Sequence, residues 1–443
     1  MINAARVATE GRPSLRVGFV APRYGEDIVG GAEQALRSLA EHLAAHRPAV
    51  DADGPVEVEV FTTCATEATT WTDDRSPGRS LEGGVFVTRL PSASGRHAEF
   101  DRRSGAMFSG GGRTDAAEQA WIAAQGPVCP AVMDAVAAFA PDVVVTCPYL
   151  YWPTIEAVRR FGNKVVVHPA AHDEPPFRLR IVGRTLAGSG GLVFFSEAER
   201  AETTATHRVA AVRQLVLGLG IDPPPPVPAG VGRGPQRPYL LYLGRVDAGK
   251  GTEELVDAYD AWRRARPHSQ LELRIAGPVV HPPRAVPGVH VLGPVDVTTK
   301  WELLRGAAAL VQPSVHESYS IVLHEALAVA TPVLVNGTCA ATTEAVMRTR
   351  GGLTFVDEVS FILAVDRLCG PASGAGGSHG YDTLGQRLGR SGQADVRARL
   401  DWERVITHYV RFLGETARRC GGSRDPSGAP ARQDPSVSSP AVR

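Results

Sequence analysis

The feature that most constrains the fold is a proline-rich segment near the middle of the chain. Residues 222–237 read DPPPPVPAGVGRGPQR, and consecutive prolines cannot lie inside a helix or a central strand. On each side of this segment, short apolar runs of strand length alternate with helical patterns, which is typical of parallel sheets covered by helices on both faces. The sequence therefore predicts two α/β domains joined by a stiff connector.

The domain boundaries are predicted from the same patterns. We expect a first Rossmann-like domain at residues 1–222, the connector at 223–237 and a second Rossmann-like domain at 238–400. An amphipathic pattern predicts a final helix at residues 401–420. Residues 421–443 are rich in Pro, Ser, Arg and Gly with few apolar side chains, so we expect a disordered tail.

Composition excludes several classes of protein. No run of about 18 apolar residues occurs, so we expect no membrane insertion, and the first 16 residues lack the apolar core of a secretory signal. The 47 basic residues balance 47 acidic ones, which argues against nucleic acid as a partner. The six cysteines form no C-x-x-C pair. A reduced, cytoplasmic protein is therefore expected.

The segment HESYSIVLHEALAVATPVLV, residues 316–335, contains two glutamates eight positions apart. A helix that begins near Ser320 would place Glu317 in the loop before it and Glu325 within it. Helix N-termini carry unpaired N–H groups and partial positive charge, which suit a phosphate. Glu325 lies in an apolar stretch, so its charge needs a partner.

A second segment, GRVDAGKG at residues 244–251, follows a predicted strand and precedes a predicted helix. Arg245 and Lys250 would then lie at the carboxyl ends of the strands, where open α/β sheets bind ligands, and could neutralise a diphosphate. The chain has only three lysines, Lys164, Lys250 and Lys300. The spacing does not match a Walker A loop, so ATP hydrolysis of that type is not supported.

The first half of the chain offers two further candidates. Gly30 and Gly31 precede a predicted helix, and a glycine pair there lets backbone N–H groups approach an anion. The segment VVVHPAAHDEPP, residues 165–176, places His172 just after a buried strand. We expect His168 in the same segment to be a structural residue.

Together these segments resemble glycosyltransferase family 4, which are retaining enzymes with the GT-B fold, and in particular a bacterial subgroup with an AHDEPP segment. The resemblance implies two Rossmann-like domains that face each other across a cleft, with a C-terminal helix that crosses back to the first domain. It implies that Arg245 and Lys250 bind the donor diphosphate. It further implies that Glu325 holds the ribose of the nucleotide and that Glu317 contacts the hydroxyls of the donor sugar.

The resemblance also assigns the remaining candidates. His172 would lie beside the donor sugar, and the catalytic group would comprise His172, Glu317, Arg245 and Lys250. The backbone of the turn before the helix and the glycine pair would both face the phosphates and the sugar of the donor. These donor-binding residues are Gly30, Gly31, Ser318, Tyr319, Ser320 and Ile321. This chain departs from the family pattern at Ser320, where many relatives have glycine. The resemblance therefore does not specify the identity of the donor sugar.

The expected function is retaining transfer of a hexosyl group, of the glucose type, from a nucleotide-diphosphate sugar to a hydroxyl of a small soluble acceptor. We expect a UDP-sugar as donor, a secondary metabolite as acceptor, and no cofactor or metal. Residues 1–230 carry 26 acidic and 22 basic side chains, a net charge of −4, which disfavours an anionic lipid surface.

Three alternatives remain open from the sequence. One is a glycosyltransferase of cell-surface polysaccharide or glycolipid assembly that uses GDP-mannose or a UDP-sugar. Another is a nucleotide-sugar epimerase or a pseudo-glycosyltransferase, and the last is a non-catalytic protein that binds sugar nucleotides. The sequence does not specify the oligomeric state.

Overall fold

The computed structural model describes residues 15–28, 30–46, 55–109, 113–226, 237–370 and 383–421. The first part of the chain forms eight strands, β1 (Arg16–Val20), β2 (Glu57–Thr63), β3 (Gly78–Glu82), β4 (Val85–Leu90), β5 (Val143–Thr146), β6 (Val165–Val167), β7 (Gly191–Phe194) and β8 (Gln214–Val216). Its helices are α1 (Gly31–Ala45), α2 (Phe100–Ser109), α3 (Asp115–Gln125), α4 (Pro130–Phe139), α5 (Trp152–Phe161), α6 (Arg180–Ala187) and α7 (Glu197–Thr206).

These strands form one sheet in the order β3-β4-β2-β1-β5-β6-β7-β8. Every pair is parallel except β3 with β4, which is antiparallel at the edge. In the centre, Phe19 of β1 lies opposite Val60 of β2 on one side and Val145 of β5 on the other. All three side chains are fully buried, because helices cover both faces of a parallel sheet. The first domain is therefore a doubly wound α/β unit.

The second part of the chain forms the strands β9 (Tyr239–Leu243), β10 (Glu272–Ala276), β11 (Val289–Gly293), β12 (Ala309–Gln312), β13 (Val333–Asn336) and β14 (Gly352–Phe355). Its helices are α8 (Thr252–Ala265), α9 (Val297–Gly306), α10 (Ile321–Ala328), α11 (Ala340–Thr349), α12 (Glu358–Cys369), α13 (Leu384–Arg399) and α14 (Trp402–Gly421). The six strands pair in parallel in the order β11-β10-β9-β12-β13-β14. The chain thus repeats the α/β architecture in a second domain, as predicted.

The last helix, α14, packs on the first domain although it follows the second. Tyr409 and Leu413 are completely buried in the same apolar cluster as Leu39 of α1. The Tyr409 hydroxyl lies 2.8 Å from Nε2 of His168, and burial lowers the pKa of His168 to about 3. The predicted return of the C-terminal helix to the first domain is confirmed, and His168 has a structural partner, as expected.

Several sequence expectations fall on parts of the chain that are not described. Residues 227–236 of the predicted connector and residues 422–443 of the predicted tail lie outside the described residues. The antiparallel edge strand β3 was not anticipated by the alternation of apolar runs. Within the described ranges, no helix is long and apolar enough to cross a membrane.

Candidate active site

A cleft of about 490 Å³ lies between the carboxyl ends of the two sheets. Loops after β1, β5 and β6 form the wall on the side of the first domain, and loops after β9 and β12 form the opposite wall. Ligands of open α/β sheets bind at this edge. The predicted site residues that line the cleft are Gly30, Gly31, His172, Arg245, Lys250, Glu317, Ser318, Tyr319, Ser320 and Ile321.

The loop after β9 holds the two predicted diphosphate ligands. The Asp247 side chain accepts a hydrogen bond from the Lys250 backbone N–H at 3.1 Å and so caps a single 3-10 turn. Nε of Arg245 donates to the same carboxylate. Gly251 then adopts a φ of 71°, which favours glycine, and α8 begins at the next residue. The loop therefore ends with both cations at the mouth of the cleft.

Lys250 and Glu317 come from the two separate sequence segments and form one ion pair. Nζ of Lys250 lies 2.6 Å from Oε1 of Glu317, and Nε2 of Gln312 donates to the same oxygen at 3.1 Å. The side chains of Lys250 and Glu317 are 29% and 14% exposed. The structure thus joins the two predicted motifs into a single polar cluster in the wall of the cleft.

The turn before α10 has an unusual backbone at Ser320. Its φ of 66° and ψ of 86° lie in the left-handed region, which glycine occupies without the steric penalty of a β-carbon. The Oγ atom of Ser320 is buried and has no hydrogen-bond partner among the described residues. Tyr319 anchors the same turn, because its hydroxyl bonds both the N–H and the carbonyl of Leu219 at 3.2 Å.

His172 lies on the opposite wall and faces the second domain. Its ring meets that of His316 edge-on, with centroids 5.4 Å apart, and burial lowers the pKa of His172. The buried Glu199 carboxylate accepts the N–H of Ala171 at 3.0 Å and that of Phe195 at 2.8 Å. Burial raises the pKa of Glu199 to about 8. Glu199 therefore fixes the loop that carries His172.

The first turn of α7 joins the two domains directly. The Ser196 hydroxyl donates to the carbonyl of Ser318 at 2.8 Å. The Glu344 carboxylate of α11 accepts the N–H groups of Glu197 at 3.3 Å and Ala198 at 2.7 Å. A carboxylate at a helix N-terminus satisfies unpaired donors. The contact between the two domains therefore also holds the Ser318 carbonyl in position.

A buried ion pair in the wall of the first domain was not predicted from the sequence. Nε of Arg23 donates to Oε1 of Glu33 at 3.1 Å, and both side chains are 10% exposed. A β-carbon at Gly30 would overlap Oε2 of Glu33, which explains why glycine suits that position. In the sequence, this ion pair is indicated by Arg23 and Glu33, which have opposite charges and lie on either side of Gly30 and Gly31, ten residues apart.

Glu325 is the predicted site residue that the structure does not bring to the lining of the cleft. It lies in α10 and pairs with Lys300 of α9, whose Nζ is 2.6 Å from Oε1. The charge in the apolar stretch thus has the partner that its burial requires. Lys300 had been given no role, and the assignment of Glu325 to the nucleotide ribose stays a prediction.

The second domain is similar to a known protein family. Residues 237–370 match a family model described as "Glycosyl transferases group 1". D-inositol 3-phosphate glycosyltransferase of Jonesia denitrificans is 26% identical over 232 residues, which cover 46% of this chain and 54% of that relative. The chain thus aligns with about half the length of this curated relative.

Solved structures match over nearly the full chain. Sucrose-phosphate synthase from Thermosynechococcus elongatus superimposes with a TM-score of 0.64 at 18% identity, covering 92% of this chain and 99% of that one. An E. coli trehalose-6-phosphate protein bound with UDP-2-fluoro glucose gives a TM-score of 0.64 at 12% identity, covering 90% and 98%. The chain therefore has the GT-B fold, and residues 237–370 of its second domain match the model of glycosyl transferases group 1.

Proposed function

We propose that the protein transfers a hexosyl group from a nucleotide-diphosphate sugar to a hydroxyl of a small acceptor, with retention of the anomeric configuration. The observation that carries this proposal is the convergence of Arg245, Lys250 and the turn before α10 on one wall of the cleft, opposite His172 on the other. Two cations and a helix N-terminus together form a site for a diphosphate.

The donor in this proposal is a UDP-sugar. Arg245 and Lys250 bind the diphosphate, and backbone from Ser318 to Ile321 faces the phosphates and the sugar. Glu317 accepts hydrogen bonds from the hydroxyls of the donor sugar while Lys250 holds its carboxylate in place. The choice of uracil is supported by the E. coli structure of the same fold, which is described as bound with UDP-2-fluoro glucose.

The proposed mechanism assigns the acceptor proton to the leaving group. A retaining reaction through a covalent intermediate needs a carboxylate nucleophile at the anomeric carbon. Among the described residues, the three carboxylates that line the cleft are each held by a neighbour, since Glu33 pairs with Arg23, Glu174 accepts from Tyr149, and Glu317 pairs with Lys250. The resemblance to glycosyltransferase family 4 implies front-face transfer, and we propose this mechanism, in which a diphosphate oxygen takes the proton from the acceptor hydroxyl.

Charge on the leaving diphosphate grows as the glycosidic bond breaks. Arg245, Lys250 and the N-terminus of α10 stabilise that charge because they are positioned before the reaction begins. The acceptor binds on the wall of the first domain, which we propose takes a small soluble molecule such as a secondary metabolite in the cytoplasm. The contact of α7 with the second domain keeps the cleft closed and limits hydrolysis of the donor.

A thermal-shift panel of UDP, GDP, ADP and dTDP sugars tests the proposal. The matching donor at a hundredfold excess over its dissociation constant adds about 2.7 kcal/mol of stability, so one base should stand out. Incubation of that donor without an acceptor then distinguishes a transferase from a nucleotide-sugar epimerase. Stabilisation by no nucleotide sugar, or release of an epimerised donor, would overturn the proposal.

A further inference from the structure

The wall of the cleft that the first domain supplies carries a distinctive set of charges. We use the name acceptor wall for five of its residues, Arg23, Glu33, Tyr149, Tyr151 and Glu174, all of which line the cleft. Two of them are carboxylates and one is a cation. The wall therefore has an excess of negative charge before any substrate binds.

The one cation of the acceptor wall is already neutralised. Two nitrogens of Arg23, Nε and Nη2, donate to Oε1 of Glu33, and Nη1 donates to the carbonyl of Thr66 at 3.1 Å. The Arg23 and Glu33 side chains are each only 10% exposed. Arg245 and Lys250 on the opposite wall are also paired, but their side chains are 55% and 29% exposed and can turn to a ligand. The Arg23–Glu33 pair is buried on both sides, so an incoming anion would have to compete with a carboxylate that is already in place.

Nearby basic side chains do not replace Arg23. Arg75 pairs with Asp27 and Glu82, and the guanidinium of Arg96 lies over the ring of Phe100, 4.7 Å from its centroid. Neither arginine lines the cleft. Burial lowers the pKa of His172 and so favours its neutral form. On this side of the cleft, no described side chain is an unpaired cation, and the backbone N–H groups at Gly30 and Gly31 are assigned to the phosphates of the donor.

The acceptor wall instead offers hydrogen-bond acceptors beside aromatic rings. The Tyr149 hydroxyl donates to Oε1 of Glu174 at 2.7 Å, and Glu174 keeps 27% of its side chain exposed. Trp71 meets Tyr151 edge-on with ring centroids 5.0 Å apart. Carboxylates accept strong hydrogen bonds from hydroxyl and ammonium groups. Trp71 and Tyr149 are buried, so the partly exposed ring of Tyr151 is the aromatic surface that a ring of the acceptor can pack against.

We infer that the acceptor is an unphosphorylated, polyhydroxylated ring compound, either neutral or bearing an amine, and that the acceptor wall selects against phosphorylated sugars. This inference rests on the proposed function, because it assumes that the cleft binds an acceptor beside the donor. The two carboxylates have different roles in it: Glu174 supplies the excess negative charge of the wall, and Glu33 holds the Arg23 charge that could otherwise bind an anion.

The test measures the binding of two matched sugars to the full-length enzyme saturated with UDP, which occupies the donor site. Isothermal titration compares glucosamine with glucose 6-phosphate for the wild type, Glu33→Gln and Glu174→Gln. We expect the wild type to bind glucose 6-phosphate at least tenfold more weakly than glucosamine. In Glu33→Gln, which frees Arg23, the ratio of the dissociation constants of glucose 6-phosphate and glucosamine should fall at least tenfold. In Glu174→Gln the same ratio should fall by less.

Glu302→Gln serves as the matched control, because Glu302 is exposed on α9 and does not line the cleft. It removes the same charge and should leave the ratio unchanged. Tighter or equal binding of glucose 6-phosphate by the wild type would overturn the inference. The inference would also be overturned if neither Glu33→Gln nor Glu174→Gln changed the ratio. The same holds if no protein distinguished the two sugars.

A separate measurement distinguishes this failure from failure of the proposed function. Hydrolysis of the best-stabilising donor in the absence of any acceptor depends on the donor site alone. An enzyme that binds and hydrolyses a nucleotide sugar but prefers a phosphorylated acceptor refutes only the inference about the acceptor wall. An enzyme that binds no nucleotide sugar refutes the proposed function itself.

Discussion

Replacing Lys250 by Met tests the diphosphate site at one atom. The substitution keeps the length of the side chain and removes the ammonium that lies 2.6 Å from Glu317. If Lys250 binds a phosphate of the donor, the variant should lose affinity for the nucleoside diphosphate but not for the nucleoside alone. The discriminating quantity is therefore the ratio of the two dissociation constants.

The magnitude follows from Coulomb's law at an ordinary distance between a lysine and a phosphate. At about 4 Å and an effective dielectric constant of about 20, two unit charges attract by about 4 kcal/mol. In the wild type the same ammonium also bonds Glu317, so only part of this attraction is available to the diphosphate. We therefore expect a net loss of 2–3 kcal/mol (about 30- to 160-fold in affinity) for the diphosphate.

The effect on folding is measured separately. Glu317 is only 14% exposed and keeps the hydrogen bond from Gln312 when the ammonium is removed, so we expect the free energy of unfolding to fall by about 1–3 kcal/mol. Isothermal titration with the nucleoside and the nucleoside diphosphate of the preferred base measures both affinities. Thermal unfolding of the variant, monitored by circular dichroism, checks that the fold is kept.

Lys300→Met is a matched control, because Lys300 and Glu325 form an equally short ion pair outside the lining of the cleft. It removes a lysine from the same domain, and we expect the ratio of the two dissociation constants to stay as in the wild type. A ratio within threefold of the wild type in Lys250→Met would refute the assignment of Lys250 to the diphosphate.

Three further changes have defined outcomes. Ser320→Gly removes a β-carbon from a left-handed residue, so we expect the free energy of unfolding, measured in urea, to rise by up to about 1 kcal/mol. Glu344→Ala removes the acceptor of the Ala198 N–H, so we expect a larger radius of gyration by small-angle scattering and transfer about 5- to 30-fold slower. Burial lowers the pKa of His168 and of His324 to about 3. Because the unfolded chain binds their protons below about pH 6.5, the free energy of unfolding should fall as pH drops from 6.5 to 5, by up to about 2 kcal/mol per histidine.

Each of these predictions has a contrary result. A loss of stability in Ser320→Gly would show that the left-handed backbone is not strained by serine. An unchanged radius of gyration with unchanged transfer in Glu344→Ala would show that the contact of α7 does not hold the domains together. Variants His168→Gln and His324→Gln that keep the full pH dependence would remove the two histidines as its cause.

Much of the fold could be predicted because buried parallel strands are continuous apolar runs. Val143–Thr146 and Val165–Val167 are such runs, and the structure buries them completely. Gly78–Glu82 could not be found in this way, because the strand lies on an exposed edge and has no apolar run. Its stabilising contacts come from the neighbouring strands, where Arg79 pairs with Glu59 and lies over the ring of Phe86.

The site was predictable where one short segment carries the chemistry. The segments around Lys250 and Glu317 indicated a diphosphate site, and both reach the cleft. Partners that lie far apart in sequence could not be found from spacing. The apolar surroundings of Glu325 required a partner for its charge, but only the packing of α9 on α10 identifies Lys300. The bond from Ser196 to the Ser318 carbonyl likewise joins two domains.

Real-time proton NMR of the preferred donor with the enzyme tests the central claim most directly. The anomeric proton of the released or transferred sugar is recorded before mutarotation, with water as the acceptor when no other is supplied. The account predicts that the first sugar product has the anomeric configuration of the donor and appears together with the nucleoside diphosphate. A first product of inverted configuration, or no cleavage of any donor that binds, would contradict it.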